Sequence, residues 1–386
     1  MTIETPAVLN ITWVSDRLDP RAIGAALHSL WTDLHARIGS ASELRASTIN
    51  LISVTETQER LREIEGELLE LEGFAPSRVI MLHIDANRAP GSYSVEVSLR
   101  AMPAERSRTT AHFELVRVTA PTAQCVSLAS IASPLLLPEL PCYLYWPGST
   151  LTESPLFEEL IDITDRLVID SSLFADPEGN LRALNALISQ PRSPIVGDFA
   201  WQRLTPWRTL LAQFFDHPDA LRELDQIEEV ELVGRLAGAN GQSGLTANLL
   251  IAGWLASSLE WKPPGPMVRA KDGWRVTLRS GSGANEREIV LRIRLKRQAR
   301  TPGRVLSIML RSDDHDPLPS LFRIERVSAE QIHTYSEFGG RRPMTRGVPA
   351  PVFSDSVLLA RELASLSRDT IYESALQSAV ALMPED

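Results

Sequence analysis

The sequence predicts an α/β N-terminal domain with an open mixed sheet, followed by an α+β domain with a mainly antiparallel sheet and C-terminal helices. Three observations carry this. Strand-like and helix-like segments alternate through the first half of the chain, as they do in open α/β sheets. A Pro/Ser/Gly stretch, Pro191–Gly197, then interrupts the pattern. From Trp274 onward, short runs of alternating apolar and charged residues dominate. The domains are expected at residues 1–192 and 193–386.

In the first domain, Ile23, Leu27, Leu30, Leu34 and Ile38 recur at helical spacing, behind a cap at Asp19-Pro20. The β-rich run Ser47–Val54, the charged helix Thr57–Glu72 and the apolar run Ser77–Ile84 read as a βαβ unit. Tyr93, Val95, Val97 and Leu99 alternate with polar residues, so Tyr93–Leu99 is a half-buried strand, with Ala111–Val118 as its neighbour. Ala123–Leu136 is apolar and helix-like. Cys142–Trp146 is a strand stopped by Pro147-Gly148. Ser154-Pro155 opens a helix, Leu167–Asp170 is a strand, and Asp176-Pro177 opens a helix through Ile188.

In the second domain, Thr205-Pro206 caps a helix with Trp207, Leu210, Leu211 and Phe214 on one stripe, ended by His217-Pro218. Ser243–Glu260 is expected to be amphipathic. Arg275–Arg279 and Glu288–Leu295 flank Gly281-Ser282-Gly283, a hairpin signal. Arg304–Leu310 and Leu321–Val327 are further strands, and Ser354–Leu366 and Asp369–Leu382 are closing helices.

Composition narrows the function. Of 386 residues, 44% are hydrophobic and 23% charged, so the chain can bury a core. A net charge of −10 argues against nucleic acid and against a basic membrane-docking face. No run reaches the ~18–20 apolar residues that a span needs, and Met1–Asn10 lacks the features of a leader. A cytoplasmic protein is expected. Two cysteines, Cys125 and Cys142, exclude a disulfide framework; in apolar surroundings they read as buried, inert thiols, with a redox pair as the alternative.

Catalytic signatures are absent from the sequence: no dinucleotide glycine fingerprint after a strand, P-loop, zinc-protease helix or nucleophile elbow. The glycines Gly234, Gly238, Gly241 and Gly244 lack phosphate-loop spacing. Asp313-Asp314-His315-Asp316 reads as a solvated turn, because consecutive residues rarely converge on one ion. No metal is expected. His83, in an apolar strand, reads as a core histidine.

Two strand ends and one segment stand out. Ligands of open α/β sheets bind beyond the carboxyl ends of strands. Ser149 and Thr150 follow one strand; Asp170, Ser171 and Ser172 follow another. These residues form a candidate ligand pocket, or the second group caps the next helix. In Asp198–Arg208, the residue types are those of interface hot spots. Trp201, Arg203 and Arg208, together with Trp146, are candidate partner contacts.

Five segments carry a resemblance: PSRVI (Pro76–Ile80), LLLPELPCYLYWPG (Leu135–Gly148), DRLVIDSSLF (Asp165–Phe174), DFAWQRLTPWRTLLAQFFD (Asp198–Asp216) and LLIAGWLASSL (Leu249–Leu259). Together, and in this order, they resemble the OpcA family of glucose-6-phosphate dehydrogenase assembly proteins. The resemblance implies a bacterial, non-catalytic accessory protein without a cofactor. It would bind glucose-6-phosphate dehydrogenase, favour its active oligomer and support NADPH production in the oxidative pentose phosphate pathway. Cyanobacterial members are associated with thioredoxin-dependent control through cysteines towards the C-terminus; this sequence has none after Cys142, so that control is not carried over. Two readings compete with the activator. One is a sugar-phosphate- or nucleotide-binding sensor or enzyme that uses the strand ends. The other is a scaffold whose sheet edge serves self-association.

Overall fold

The computed structural model describes residues 12–38, 44–45, 48–71, 78–101, 111–152, 154–236, 244–283, 286–297, 305–312 and 319–384. In chain order its first elements are β1 (Thr12–Ser15), α1 (Pro20–Ile38), β2 (Leu44–Arg45), β3 (Asn50–Thr55), α2 (Gln58–Leu69), β4 (Arg78–Asp85), β5 (Ser94–Ala101) and β6 (Ala111–Pro121). Then come α3 (Ser127–Ala132), β7 (Cys142–Trp146), α4 (Pro155–Ile161), β8 (Arg166–Ile169), α5 (Pro177–Ile188) and β9 (Ile195–Asp198). Next are α6 (Phe199–Arg203), α7 (Thr205–Phe214), α8 (Pro218–Leu224), β10 (Ile227–Arg235), α9 (Leu245–Ser258), β11 (Val268–Ala270), β12 (Gly273–Ser280) and β13 (Arg287–Lys296). The chain closes with β14 (Val305–Ser312), β15 (Ser320–Arg326), β16 (Gln331–Glu337), β17 (Met344–Pro349), α10 (Asp355–Ala364) and α11 (Thr370–Leu382).

The chain forms two compact units that interleave in sequence. The first holds Met1–Asp170, Pro191–Gly197 and Asp355–Arg368; the second holds Ser171–Gln190, Asp198–Ser354 and Asp369–Asp386. They do not follow a single cut at 192/193. The stretch Pro191–Gly197, expected to be a linker, contains most of β9.

The first unit is built on a sheet of order β1-β5-β6-β4-β3-β7-β8-β9, with β2 beside β6. Strands β6, β4, β3, β7 and β8 run parallel, whereas β1, β5 and β6 are antiparallel neighbours. The expected βαβ unit is β3-α2-β4, with Leu51 paired to Val79. All six residues of β3 are buried, as are Val79–Leu82. Burial on both faces is why β4 reads as a continuous apolar run. The expected helix Ala123–Leu136 is instead α3 between two short 3-10 turns. Pro134 removes a backbone donor at its end, and Val126 is exposed. His83 is buried with Nδ1 3.3 Å from the Thr55 carbonyl oxygen, as a core histidine should be.

The second unit is built on a sheet of order β11-β12-β13-β10-β14-β15-β16-β17. It is antiparallel except where β10 lies parallel to β13. Gly281 and Gly283 take φ of 80° and 62° after β12, a backbone suited to glycine at the expected hairpin. Helix α9 departs from its expected amphipathic character. Every residue from Leu245 to Gly253 is buried, because α9 packs on β10 and β13 and also against α11. Gly253 permits the close approach to α11: a Cβ there would stand 2.0 Å from the Ala375 carbonyl oxygen.

Candidate functional site

The segment Asp198–Arg208 is organised by two aspartates of the second unit, Asp198, which is buried, and Asp369, which is exposed. Asp198 caps α6. Its Oδ1 accepts from Ala200 N at 2.9 Å and Ser171 N at 3.0 Å. Its Oδ2 accepts from Ser171 Oγ at 2.6 Å and Tyr372 Oη at 3.1 Å. A carboxylate that accepts four hydrogen bonds is occupied as an anchor. Asp369 caps α11: Oδ1 accepts from Tyr372 N at 2.9 Å, while Oδ2 accepts from Trp201 Nε1 at 2.8 Å. Trp201 packs on Tyr372, with ring centroids 5.6 Å apart.

Arg208 also packs on this indole, its guanidinium carbon 3.5 Å from a ring centroid of Trp201. That is a close cation–π stack. Burial pulls the Arg208 guanidinium down to about 10, and the charge on Asp369 offsets part of that shift. Arg203 has its guanidinium 5.7 Å from the Phe199 ring and Nη1 3.4 Å from Ser172 Oγ. Of the four expected partner contacts, then, Trp201, Arg203 and Arg208 come together around α6 and the start of α7. Arg203 and Arg208 are half-buried. Trp201 is only 4% exposed, so its indole shapes this surface from beneath and offers no free face.

Trp146, in the first unit, differs from its expected role in the same way. It is 4% exposed and packs edge-on against Phe157. Its Nε1 donates to the Thr150 carbonyl oxygen at 2.9 Å, which folds the turn after β7. Gly148 is required there, since a Cβ would lie 2.7 Å from that nitrogen. Ser149 and Thr150 are exposed on this turn, and Thr150 Oγ1 donates to the Thr152 carbonyl oxygen at 2.9 Å. Asp170 is buried in the same unit. Ser171 and Ser172 are buried in the second unit, with Ser171 held by Asp198. These three residues are thus enclosed, not open at a strand end.

Sequence reasoning missed a cluster in the first unit. Arg60 Nη2 donates to Tyr145 Oη at 2.6 Å, and Nη1 donates to Glu67 at 2.6 Å and Glu63 at 2.9 Å. Asp355 stands 3.7 Å from the same guanidinium. Burial, foremost, pushes the Tyr145 phenol and the Glu67 carboxyl up. Arg166 and Glu362 form a second buried pair at 2.8 Å. Their separation in sequence, 196 residues, left no local signal.

Among the described residues no group of three or more His, Cys, Asp or Glu could hold a metal. Asp313–Asp316, Gly238 and Gly241 lie outside the described residues. Cys142 is buried as expected, but Cys125 is half-buried. Burial pushes the Cys142 thiol up to about 12. No helix among the described residues is long and apolar enough to cross a membrane.

Comparison with known proteins adds a family. The model of the glucose-6-phosphate dehydrogenase subunit N-terminal domain (OpcA) matches residues 69–186. The model of the C-terminal domain of the same subunit matches residues 194–376. A Synechocystis relative named as an OxPP cycle protein OpcA is 28% identical over 221 residues, 55% of this chain and 44% of the relative. One from Synechococcus elongatus with the same name is 29% identical over 271 residues, 68% of this chain and 58% of the relative. The chain thus matches about half the length of these relatives. In fold it is similar to a mutant of the 3-ketoreductase KijD10 from Actinomadura kijaniata, solved with TDP-benzene and NADP. That match has 12% identity, a TM-score of 0.50, and covers 86% of this chain and 95% of the other. At that identity the likeness concerns fold alone.

Proposed function

The chain belongs to the OpcA family of glucose-6-phosphate dehydrogenase subunits, and we propose that it is a non-catalytic, cytoplasmic activator of that enzyme in the oxidative pentose phosphate pathway. It binds glucose-6-phosphate dehydrogenase and favours the active oligomer. The observation that carries this reading is the match of both family domains along the chain. The chemistry of Asp198 is compatible with it: the carboxylate is enclosed by donors and holds helices instead of facing a substrate.

An activator must bind the active form of its partner more tightly than the inactive form; equal affinity shifts nothing. A tenfold activation needs only about 1.4 kcal/mol of differential binding. A few half-buried contacts supply that amount. Arg203 and Arg208, rigidly presented by α6 and α7, are the proposed contacts, with Trp201 setting the position of Arg208. The test is the alanine double substitution R203A/R208A. A folded double variant should activate the enzyme more weakly than the parent. Undiminished activation would remove this patch from the interface.

A further inference from the structure

We propose that the second unit carries a binding site for a phosphate monoester of a nucleoside or sugar, in a cleft between α7 and the β16–β17 edge of its sheet. The cleft has a volume of about 260 Å³. It exists because β17 is the last strand of the sheet and the face that it shares with Thr334 and Ser336 has little helical cover. Phe214 and Phe338 supply aromatic surface in this cleft.

The polar groups converge on one kind of ligand. Arg341, Arg342 and Arg346 all line the cleft. Arg341 is engaged by Asp219, and its Nη1 lies 3.4 Å from His217 Nε2. Arg342 and Arg346 have no carboxylate partner among the described residues; Arg346 Nη2 meets only the Met344 sulfur, at 3.2 Å. Two positive charges therefore stand uncompensated on a protein whose net charge is −10. A phosphate monoester carries close to two negative charges at neutral pH, and guanidinium forks match its oxygens.

The hydroxyls of Thr334 and Ser336 also line the cleft. Both residues are 8% exposed, and neither hydroxyl makes a hydrogen bond among the described residues. Each hydroxyl can donate to or accept from a ligand oxygen in the cleft without breaking a bond within the protein. An aromatic wall beside such groups suits the flat or apolar face of a base or sugar. A bare anion would leave that wall unused.

Titration calorimetry with AMP, ribose 5-phosphate, inorganic phosphate and adenosine tests the site on the full chain. At least one ester should bind with a Kd below about 1 mM, and more tightly than phosphate or adenosine. The substitution pair R342Q/R346Q should weaken that binding about tenfold or more. R342Q alone, at an exposed side chain, serves if the pair disturbs folding, and it should weaken binding measurably. Absence of ester binding at about 10 mM, equal binding of inorganic phosphate, or unaltered binding by the folded variants would each overturn the proposal.

Discussion

The guanidinium carbon of Arg208 sits 3.5 Å from a ring centroid of Trp201, and the same indole donates its N–H to Asp369 at 2.8 Å. One aromatic side chain thereby couples a surface cation to the cap of α11. This arrangement converts a short sequence motif into a defined charged surface, and it can be perturbed from each side.

The Arg208 charge is held against burial. Burial lowers its pKa from the ordinary arginine value to about 10 on folding. The unfolded chain therefore binds more protons between those values, and the contribution of Arg208 to stability rises as pH passes upward through that window. R208M keeps an unbranched apolar chain over the indole and drops the charge. It should be no less stable than the parent at pH 7. The difference should move in favour of the parent above pH 10. Denaturant unfolding at several pH values measures this, and a loss above about 2 kcal/mol at pH 7 would show that the stack outweighs burial.

The Arg166–Glu362 pair ties α10 to β8 within the first unit. Removing one partner of a buried pair leaves an uncompensated charge, which costs about 3–5 kcal/mol. E362A should lower stability by about that amount. G197A should act through the same contact, because its Cβ would lie 2.0 Å from Glu362 Oε2. The double variant should lose less than the sum, since both changes break one interaction.

Gly253 lies where α9 meets α11. On an exposed helix, glycine-to-alanine stabilises by up to about 1 kcal/mol. Here G253A should destabilise, because the new methyl group meets backbone 2.0 Å away. Thermal unfolding would show the sign directly.

The cysteines should separate by reactivity. Cys142 is buried and its thiol is pushed up to about 12, so almost no thiolate forms at pH 8. A disulfide reagent should label one thiol, Cys125, in the native protein, and the second only after unfolding. Two fast thiols at pH 8 would contradict the burial of β7.

Much of the fold was legible in local pattern. The βαβ unit β3-α2-β4 announced itself by a charged helix between two apolar runs, and the β5–β6 pairing by clean alternation. Strand β10 is less legible: Glu229, Val230, Glu231 and Leu232 alternate, but Gly234 falls within the strand and weakens the pattern. Strand β9 was hidden by Pro191 and Ser193 just before it. The site was legible in residue type but not in exposure. Trp201 and Trp146 look like partner contacts in sequence, whereas Asp369, 168 residues from Trp201, and the carbonyl of Thr150 turn both indoles inward. The Trp146–Thr150 bond closes a local turn, whereas a bond that spans as much sequence as Trp201–Asp369 leaves no periodic trace. The same holds for the Arg60–Tyr145 contact.

The central claim is that this chain binds and activates glucose-6-phosphate dehydrogenase without turning over substrate itself. Titrating the purified protein into the enzyme of its own organism, while following NADPH formation and the mass of the enzyme together, tests it most directly. The account predicts a saturable rise in rate, a co-migrating complex with a shift towards the active oligomer, and no turnover by this chain alone. No complex and no change in rate across a wide concentration range would contradict it.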